Sequence, residues 1–587
     1  MLRRSERADR RARSGELGYS LNGTMRIVVA DKISPRGLEL LARSGWQVEV
    51  PTAGALRSAL AEADALVVRS ATRVTAELLA AAPRLRVVGR AGAGVDNIDV
   101  EACTRRGILV MNTPGTNAVS VAEHTFALML SLVRHVPRLA AASHAGRWEK
   151  AGAVGSELRG KTLGLVGLGR VGFAVARRAQ AFEMRVLAFD PYVSPEVARE
   201  EDVEMVPFDE LLARADCVSL HASLGPGTEK IINAAALEKM KRGAWLVNTA
   251  RGELVDEAAL AEALRSGQLA GAALDVFTVE PPKDSPLTGL SNVVATPHVA
   301  GSTVEAQEEV GALIAEQVYD YLASGVLRNS VNLPNLSPEQ YRRLRPYLEL
   351  AERLGLFAGQ VARGRLARVR IRYAGETAAL VYTVLRSAVL AGLLNPVLDE
   401  KVNLVSSAAV AAQRGIVVEE QTRRREHGFP DTLEVTLFPQ DAAAAFCVEG
   451  TVPFDLSPRI MGIDGIHVEC DLEGTILFTR NRDVPGVIGQ MGQVLGSRGV
   501  NIATFALGRR EAVAGAEALA LVRLDGEVSD AVLEPIRDIP AVVEARLVRL
   551  PKKDAPTKFH PSSRSPSRFP KLRQCVSRPT SSRRRAG

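Results

Sequence analysis

Short apolar runs bounded by polar or glycine-containing turns recur along the first hundred residues, at 27–30, 65–68, 87–89 and 108–111, with helically spaced apolar residues between them. Alternation of this kind predicts a parallel sheet covered by helices. The pattern returns at 163–166, where a strand run is followed by helical spacing over 171–182 and by a second strand run at 185–189. Further strand-like runs at 217–221, 245–249 and 272–275 predict a second, doubly wound sheet of about six strands. A strongly apolar helix is expected over 119–133, between the two sheets, and a long helix over 305–322. Residues 333–338, Leu-Pro-Asn-Leu-Ser-Pro, read as a linker. Beyond it, 339–470 mixes helical and β-rich stretches. In the last folded segment a strand at 475–479, a helix opening at 483–489 and a strand starting at 499–503 are expected. From 551 onward Ser, Arg and Pro dominate, with too few apolar residues to make a core.

At 587 residues the chain is too long for a single core. No run of about eighteen uncharged apolar residues occurs, so no membrane span is predicted. The net charge of +7 is unevenly placed: residues 1–24 carry +3 and residues 551–587 carry +10, leaving −6 on the body between them. An acidic body with basic ends is not the footprint of a nucleic-acid-binding fold. The leader 1–24 lacks an apolar core and is not a secretory signal; a natural start at Met25 or a disordered leader is the expectation, with an organellar transit peptide as the alternative. Five scattered cysteines without C-x-x-C spacing suit a reduced, cytoplasmic protein. The eight histidines show no metal-ligand spacing, so no metal is expected.

The most informative motif lies in the second unit. Gly167, Gly169 and Gly172 have the G-x-G-x-x-G spacing between a strand and a helix, and Asp190 closes the following strand. Glycines there permit a tight turn and close approach of backbone to a pyrophosphate at a helix N-terminus, and the acid can accept from a ribose diol. Pro191 and Tyr192 follow Asp190 with no adjacent arginine, which favours NAD over NADP.

In open α/β sheets ligands bind beyond the carboxyl ends of the strands. Arg69 and Ser70 follow one predicted strand end, and Arg90 with the loop amides around Gly92 follows another. These groups suit a doubly anionic substrate, solvated surface arginines being the alternative. Arg251 follows the strand ending near Thr249 and Ala250, Glu280 precedes two prolines, and His298 follows Pro297. A hydride taken from a secondary alcohol needs a base for the hydroxyl proton, a carboxylate to steady the imidazolium and an arginine for the substrate carboxylate. Singly, each residue also reads as a loop arginine, a turn carboxylate and a packed histidine, and only geometry separates these readings.

The stretches 89–99 (Gly-Arg-Ala-Gly-Ala-Gly-Val-Asp-Asn-Ile-Asp), 167–172, 248–252 (Asn-Thr-Ala-Arg-Gly) and 297–301 (Pro-His-Val-Ala-Gly) resemble the D-isomer-specific 2-hydroxyacid dehydrogenases. Within that family the likeness is strongest to the long, regulated branch that oxidises 3-phosphoglycerate at the head of serine synthesis. It implies a flavodoxin-like substrate domain at 25–123 completed by 305–329, a Rossmann-type NAD domain at 124–304, an α+β intervening domain at 339–470 and a βαββαβ ACT domain at 474–550. It also implies that Arg251, Glu280 and His298 are catalytic. Gly167, Gly169, Arg170, Val171, Gly172, Asp190, Ala222, Thr249, Ala250, Arg251, Asp275, His298 and Gly301 would line the NAD site. Ala93 stands where some relatives have a threonine, at the cost of one side-chain hydrogen bond. Asp483 and Asn501 would contact L-serine as an effector, and Asn403 with its neighbours is a candidate for an effector anion, an oligomerisation role being the alternative. A homotetramer is the implied assembly. Two rivals stay open: a glyoxylate/hydroxypyruvate or 2-oxoglutarate reductase with the same catalytic residues, and an NAD-sensing corepressor built on the same fold.

Overall fold

The computed structural model describes residues 24–552 apart from 43–44, 53, 152, 226, 363, 376–381, 424–430, 441–443 and 527. The expectations for the leader, the basic tail and Cys575 therefore lie outside the described residues, apart from the few at their inner ends.

The first apolar runs form a five-stranded, all-parallel sheet: β1 (Arg26–Val29), β2 (Gln47–Glu49), β3 (Ala65–Val68), β4 (Val87–Arg90) and β5 (Leu109–Met111), in the order β2-β1-β3-β4-β5. This is the flavodoxin-like order. Every residue of β3 is buried, as expected of a strand covered on both faces. The edge strand β2 escaped the sequence reading because its residues are exposed or half-buried and leave no apolar run.

The helix Val304–Ser324 returns to this sheet. Thr303 caps its start by accepting from Ala306 N, and Gly325, at φ +76°, ends it. Its Ile314 and Val318 press on Gly89 so closely that a Cβ there would lie 2.9 and 2.8 Å from them. That contact fixes β4 just before Arg90.

The second sheet has seven described strands where about six were expected: β6 (Thr162–Val166), β7 (Arg185–Phe189), β8 (Glu204–Met205), β9 (Cys217–Leu220), β10 (Ala244–Asn248), β11 (Leu269–Leu274) and β12 (Val293–Ala295). The order β12-β11-β10-β9-β6-β7-β8, parallel throughout, is a Rossmann sheet with one added edge. The edge strands β8 and β12 are two or three residues long and not buried, so neither leaves a hydrophobic run. Strand order reverses between β6 and β9. The apolar helix Ala118–Val133 packs beside this sheet, its Phe126, Leu128, Met129 and Leu132 sharing a core with Leu163, Leu165 and Val247. A Ser120–Thr303 hydroxyl contact of 2.8 Å ties the two segments where the chain passes between the sheets.

Beyond the linker, the helix Pro338–Val361 opens with a capping box made by Ser337 and Gln340. It packs backbone-to-backbone against the helix Tyr382–Leu394, where a Cβ on Gly359 would sit 2.6 Å from the Leu393 carbonyl. A mixed six-stranded sheet follows, and then a four-stranded antiparallel sheet in βαββαβ chain order: strand Thr475–Arg482, helix Val487–Ser497, strands Ile502–Arg509 and Glu517–Leu524, helix Leu533–Arg537 and strand Val542–Arg549. The buried Arg353 donates to the carbonyls of Leu472 (2.5 Å) and Pro551 (2.9 Å), clamping both ends of this last module. Asn403 does not present its amide to an anion. Its Nδ2 donates to the Gly107 carbonyl (2.7 Å) and its Oδ1 accepts from Val405 N and Ser406 N, so it joins the intervening segment to the first sheet.

Candidate active site

The glycine motif sits at the carboxyl end of β6, where strand order reverses. Gly167 has φ +96°, and its missing Cβ leaves room for the His221–Ala222 backbone, which would lie 2.6–2.8 Å from it. A Cβ on Gly172 would run into the Gly167 carbonyl, so the helix Arg170–Ala181 can start this close to the strand only with glycine there. Above Gly169, by contrast, a Cβ would meet nothing within 4 Å. Open space thus faces the first amides of that helix at the switch point, a cradle that fits a pyrophosphate. Asp190 is held at the lip by accepting from Leu168 N (2.8 Å) and Tyr192 N (2.9 Å), and among the described residues no cation is bonded to it.

Other predicted cofactor residues surround this cradle. Arg170 reaches across to donate to the Pro114 carbonyl (2.5 Å), and Val171 packs on the helix-side core. Thr249 Oγ1 lies 3.0 Å from Thr125 Oγ1, pinning the end of β10 to the apolar helix. Gly301 is in close contact with Asn117, with 2.7 Å between its would-be Cβ and Nδ2. His221, the polar residue at the end of the strand run 217–221, lies half-buried beside Gly167; burial pushes its pKa down to about 3, so it is neutral. Its Nε2 is 2.9 Å from Ser219 Oγ, and its buried Nδ1 has no partner among the described residues.

The predicted acid–base pair is assembled from two loops. His298 Nδ1 is 2.8 Å from Glu280 Oε2, and Glu280 Oε1 accepts from Phe277 N at 3.2 Å. With Nδ1–H donating to the carboxylate, Nε2 is left as the free base on a half-exposed ring. Asp275 sets the loop that carries the ring. Its carbonyl accepts from His298 N (2.8 Å), Oδ1 from Val299 N (2.9 Å) and Thr296 Oγ1 (2.6 Å), and Oδ2 from Ala300 N (2.8 Å). This buried carboxylate, which the resemblance places at the NAD site, thus also orders the histidine loop. His298 itself adopts φ +54°, a conformation that costs a non-glycine residue energy and that this network sustains. His124 stays with Thr296 (3.0 Å) and Glu123 with Arg178 (3.0 Å), as satisfied neighbours.

Arg251 reaches the same region. Gly252, the next residue, is packed against the Phe277–Thr278 backbone, which sets Arg251 beside the loop bearing Glu280. Its guanidinium lies over Gly94 of the loop after β4, pairing with Asp96. Arg90 is the last residue of β4 and folds over Gly92, whose Cβ would collide with the guanidinium. Burial, and next the charge of Arg251, push the Arg90 guanidinium below its ordinary value, and its Nε is buried without a partner among the described residues. Arg69 lies near enough to add to that repulsion, and its carbonyl is held by Asn97 Nδ2 (2.6 Å); Ser70 beside it is exposed. The fold thus gathers Arg69, Arg90 and Arg251 from three strand ends on two sheets. Sequence reasoning missed Asp96, although it lies in the motif that supplied Arg90.

The expected effector residues are far along the chain, in the last module. Asp483 pairs with Arg509 Nε (3.1 Å), and Asn501 donates to Asp525 Oδ2 (2.7 Å).

A cofactor cradle at a sheet switch point, with a carboxylate-backed imidazole and clustered guanidinium groups near strand ends, defines the class of NAD-dependent dehydrogenases acting on small hydroxy acids. Family models agree. The NAD binding domain of the D-isomer specific 2-hydroxyacid dehydrogenases matches residues 126–300, the D-3-phosphoglycerate dehydrogenase intervening domain matches 343–464, and the ACT domain matches 475–541. The D-3-phosphoglycerate dehydrogenases of Archaeoglobus fulgidus and Methanocaldococcus jannaschii are each 41% identical to this chain, and that of Bacillus subtilis 38%, over 90% of this chain and 100% of theirs. The chain belongs to the D-3-phosphoglycerate dehydrogenase family.

Proposed function

We propose that this enzyme oxidises the 2-hydroxyl of D-3-phosphoglycerate to 3-phosphohydroxypyruvate, the first step of L-serine synthesis. The observation that carries the reading is the Glu280–His298 pair, with its free Nε2, beside a cluster of three guanidinium groups in a chain matching these dehydrogenases from end to end of the relatives. Gly167, Gly169, Arg170, Val171, Gly172, Asp190, Ala222, Thr249, Ala250, Arg251, Asp275, His298 and Gly301 would line the site of NAD, which when bound would supply the hydride acceptor. Arg251 holds the substrate carboxylate. Arg69, Arg90, Ser70 and the amides around Gly92 take the phosphate end. The hydroxyl proton passes to His298 Nε2, and Glu280 steadies the resulting imidazolium through Nδ1–H.

The reading divides the chain as 25–123 with 305–329 for substrate, 124–304 for NAD, 339–470 as intervening domain and 474–550 as ACT domain. Serine, bound near Asp483 and Asn501 between paired ACT domains of a homotetramer, lowers the rate. A cytoplasmic location goes with it, supported by described cysteines that are all unpaired and by the lack, among the described residues, of any helix long and apolar enough to cross a membrane.

The test is NADH formation from 3-phosphoglycerate, compared with glycerate and 2-hydroxyglutarate, with and without serine. Preference for 2-hydroxyglutarate would favour the reductase reading, and no turnover on any of them would leave an NAD sensor. A flat serine response would restrict the ACT domain to assembly.

A further inference from the structure

Two carboxylates face the three guanidinium groups, and the fold treats them differently. Asp31 is built in: Oδ2 accepts from Arg69 N (2.6 Å) and Thr72 N (3.2 Å), and Oδ1 from Thr72 Oγ1 (2.7 Å). The Asp96 side chain is 62% exposed, and among the described residues Arg251 is its one bonded partner. Its Oδ2 accepts from Arg251 Nε (3.1 Å) and Nη2 (3.0 Å), which together form one of the forked edges by which a guanidinium grips a carboxylate. Nη1 donates instead to the Ala250 carbonyl (2.7 Å). A carboxylate of the chain therefore already occupies a fork of the arginine assigned to the substrate carboxylate, and it comes from the opposite sheet.

We propose that Asp96 is a displaceable counter-carboxylate: it occupies Arg251 in the free enzyme and gives way to the carboxylate of the incoming hydroxy acid, so that its charge sets substrate affinity. The inference rests on the function proposed above. Two effects oppose each other when the Asp96 charge is removed. Arg251 loses one of its restraints, which weakens binding, and the site loses a negative charge that repels a substrate bearing a carboxylate and a phosphate, which strengthens it. The first effect is the smaller. Arg251 keeps its bond to the Ala250 carbonyl and its seat over Gly94, and an exposed ion pair contributes little to holding a side chain. The repulsion acts among charges clustered closely enough that Asp96 also raises the pKa of Arg90.

The experiment compares the full-length parent with Asp96→Asn, Asp96→Ser and Asp96→Glu at low and high salt. Asn and Ser are expected to lower KM for 3-phosphoglycerate by about five- to tenfold, more than any change in kcat, with the gain shrinking in about 0.5 M salt as screening grows. The Glu variant, with the charge restored, is expected to return KM toward the parent value. Oxalate serves as a non-reacting carboxylate probe: its binding to the enzyme–NADH complex, read by NADH fluorescence, should tighten by a similar factor in Asn and Ser. Unchanged or raised KM with unchanged oxalate affinity in both neutral variants overturns the proposal. A parent that turns over no hydroxy acid defeats the proposed function instead, and oxalate binding then still decides whether Asp96 competes for Arg251.

Discussion

Glu280 Oε2 stands 2.8 Å from His298 Nδ1, although the two residues come from separate loops after β11 and β12. That single contact fixes which ring nitrogen can act as base. Replacing His298 with Ala is expected to lower kcat by about two to four orders of magnitude while NAD affinity stays near that of the parent. Glu280→Gln, which keeps the shape but not the charge, is expected to lower kcat by about tenfold or more. Steady-state rates together with NADH titration by fluorescence check both, and an undiminished rate in His298→Ala removes that histidine from the chemistry.

The Asp275 carboxylate holds the loop bearing His298 through the amides of Val299 and Ala300. Asp275→Ala leaves those amides and Thr296 without their acceptor in a buried place. The expected outcome is a fall in kcat of about ten- to a hundredfold, with a loss of about 1–3 kcal/mol of stability, read from initial rates and a denaturant midpoint. Equal rates in the parent and the variant would show that the loop keeps its shape by other means.

Gly94 lies directly beneath the Arg251 guanidinium, and Gly92 beneath that of Arg90. Gly92, at φ +151°, also has a backbone conformation that other residues rarely adopt. An added methyl at Gly94 must push Arg251 off its seat. Gly94→Ala is expected to raise KM for the hydroxy acid by about tenfold while leaving KM for NAD unchanged, since misplacing one charged contact costs about 1–2 kcal/mol. A parallel rise in both constants would point to a distorted cleft.

Asp190 is bonded to backbone amides and to no cation among the described residues. Asp190→Ala is expected to raise KM for NAD by about tenfold and to narrow the preference over NADP, because the acid both accepts from a ribose diol and repels a 2′-phosphate. Comparing the two coenzymes in the same assay checks this.

Glu352 is buried in the helix Pro338–Val361, and burial, partly offset by Arg353, raises its pKa to about 7. The folded state therefore holds this proton more tightly than the unfolded chain. The stability it contributes is complete below the ordinary carboxylate range and is lost as pH rises through about 7. Glu352→Gln stays neutral throughout, so its advantage over the parent should grow by about 2–3 kcal/mol between pH 4 and pH 8. Denaturant midpoints at the two pH values test this, and a pH-independent difference would exclude Glu352 as the titrating group.

Much of this protein was legible in one dimension. The runs that became β1, β3, β4, β6, β7 and β9 are buried on both faces or nearly so, and a doubly covered strand must be written as a continuous apolar run. Gly167 and Gly172 were readable for a similar reason: backbone packed that closely tolerates only one residue type. The edge strands β2, β8 and β12 were not readable, because half-exposed backbone pairing leaves no compositional trace. Local sequence therefore determined the cofactor turn, the parallel sheets and the identity of the candidate acid, base and arginines. Tertiary structure alone decided that Glu280 faces His298, that Asp275 serves the histidine loop, that Asn403 meets Gly107, and that Asp96 holds Arg251 from 155 residues away. Those contacts join strand ends and loops whose separation along the chain carries no information about distance in space. Side-chain charges meet there only because two parallel sheets present their carboxyl ends to one cleft.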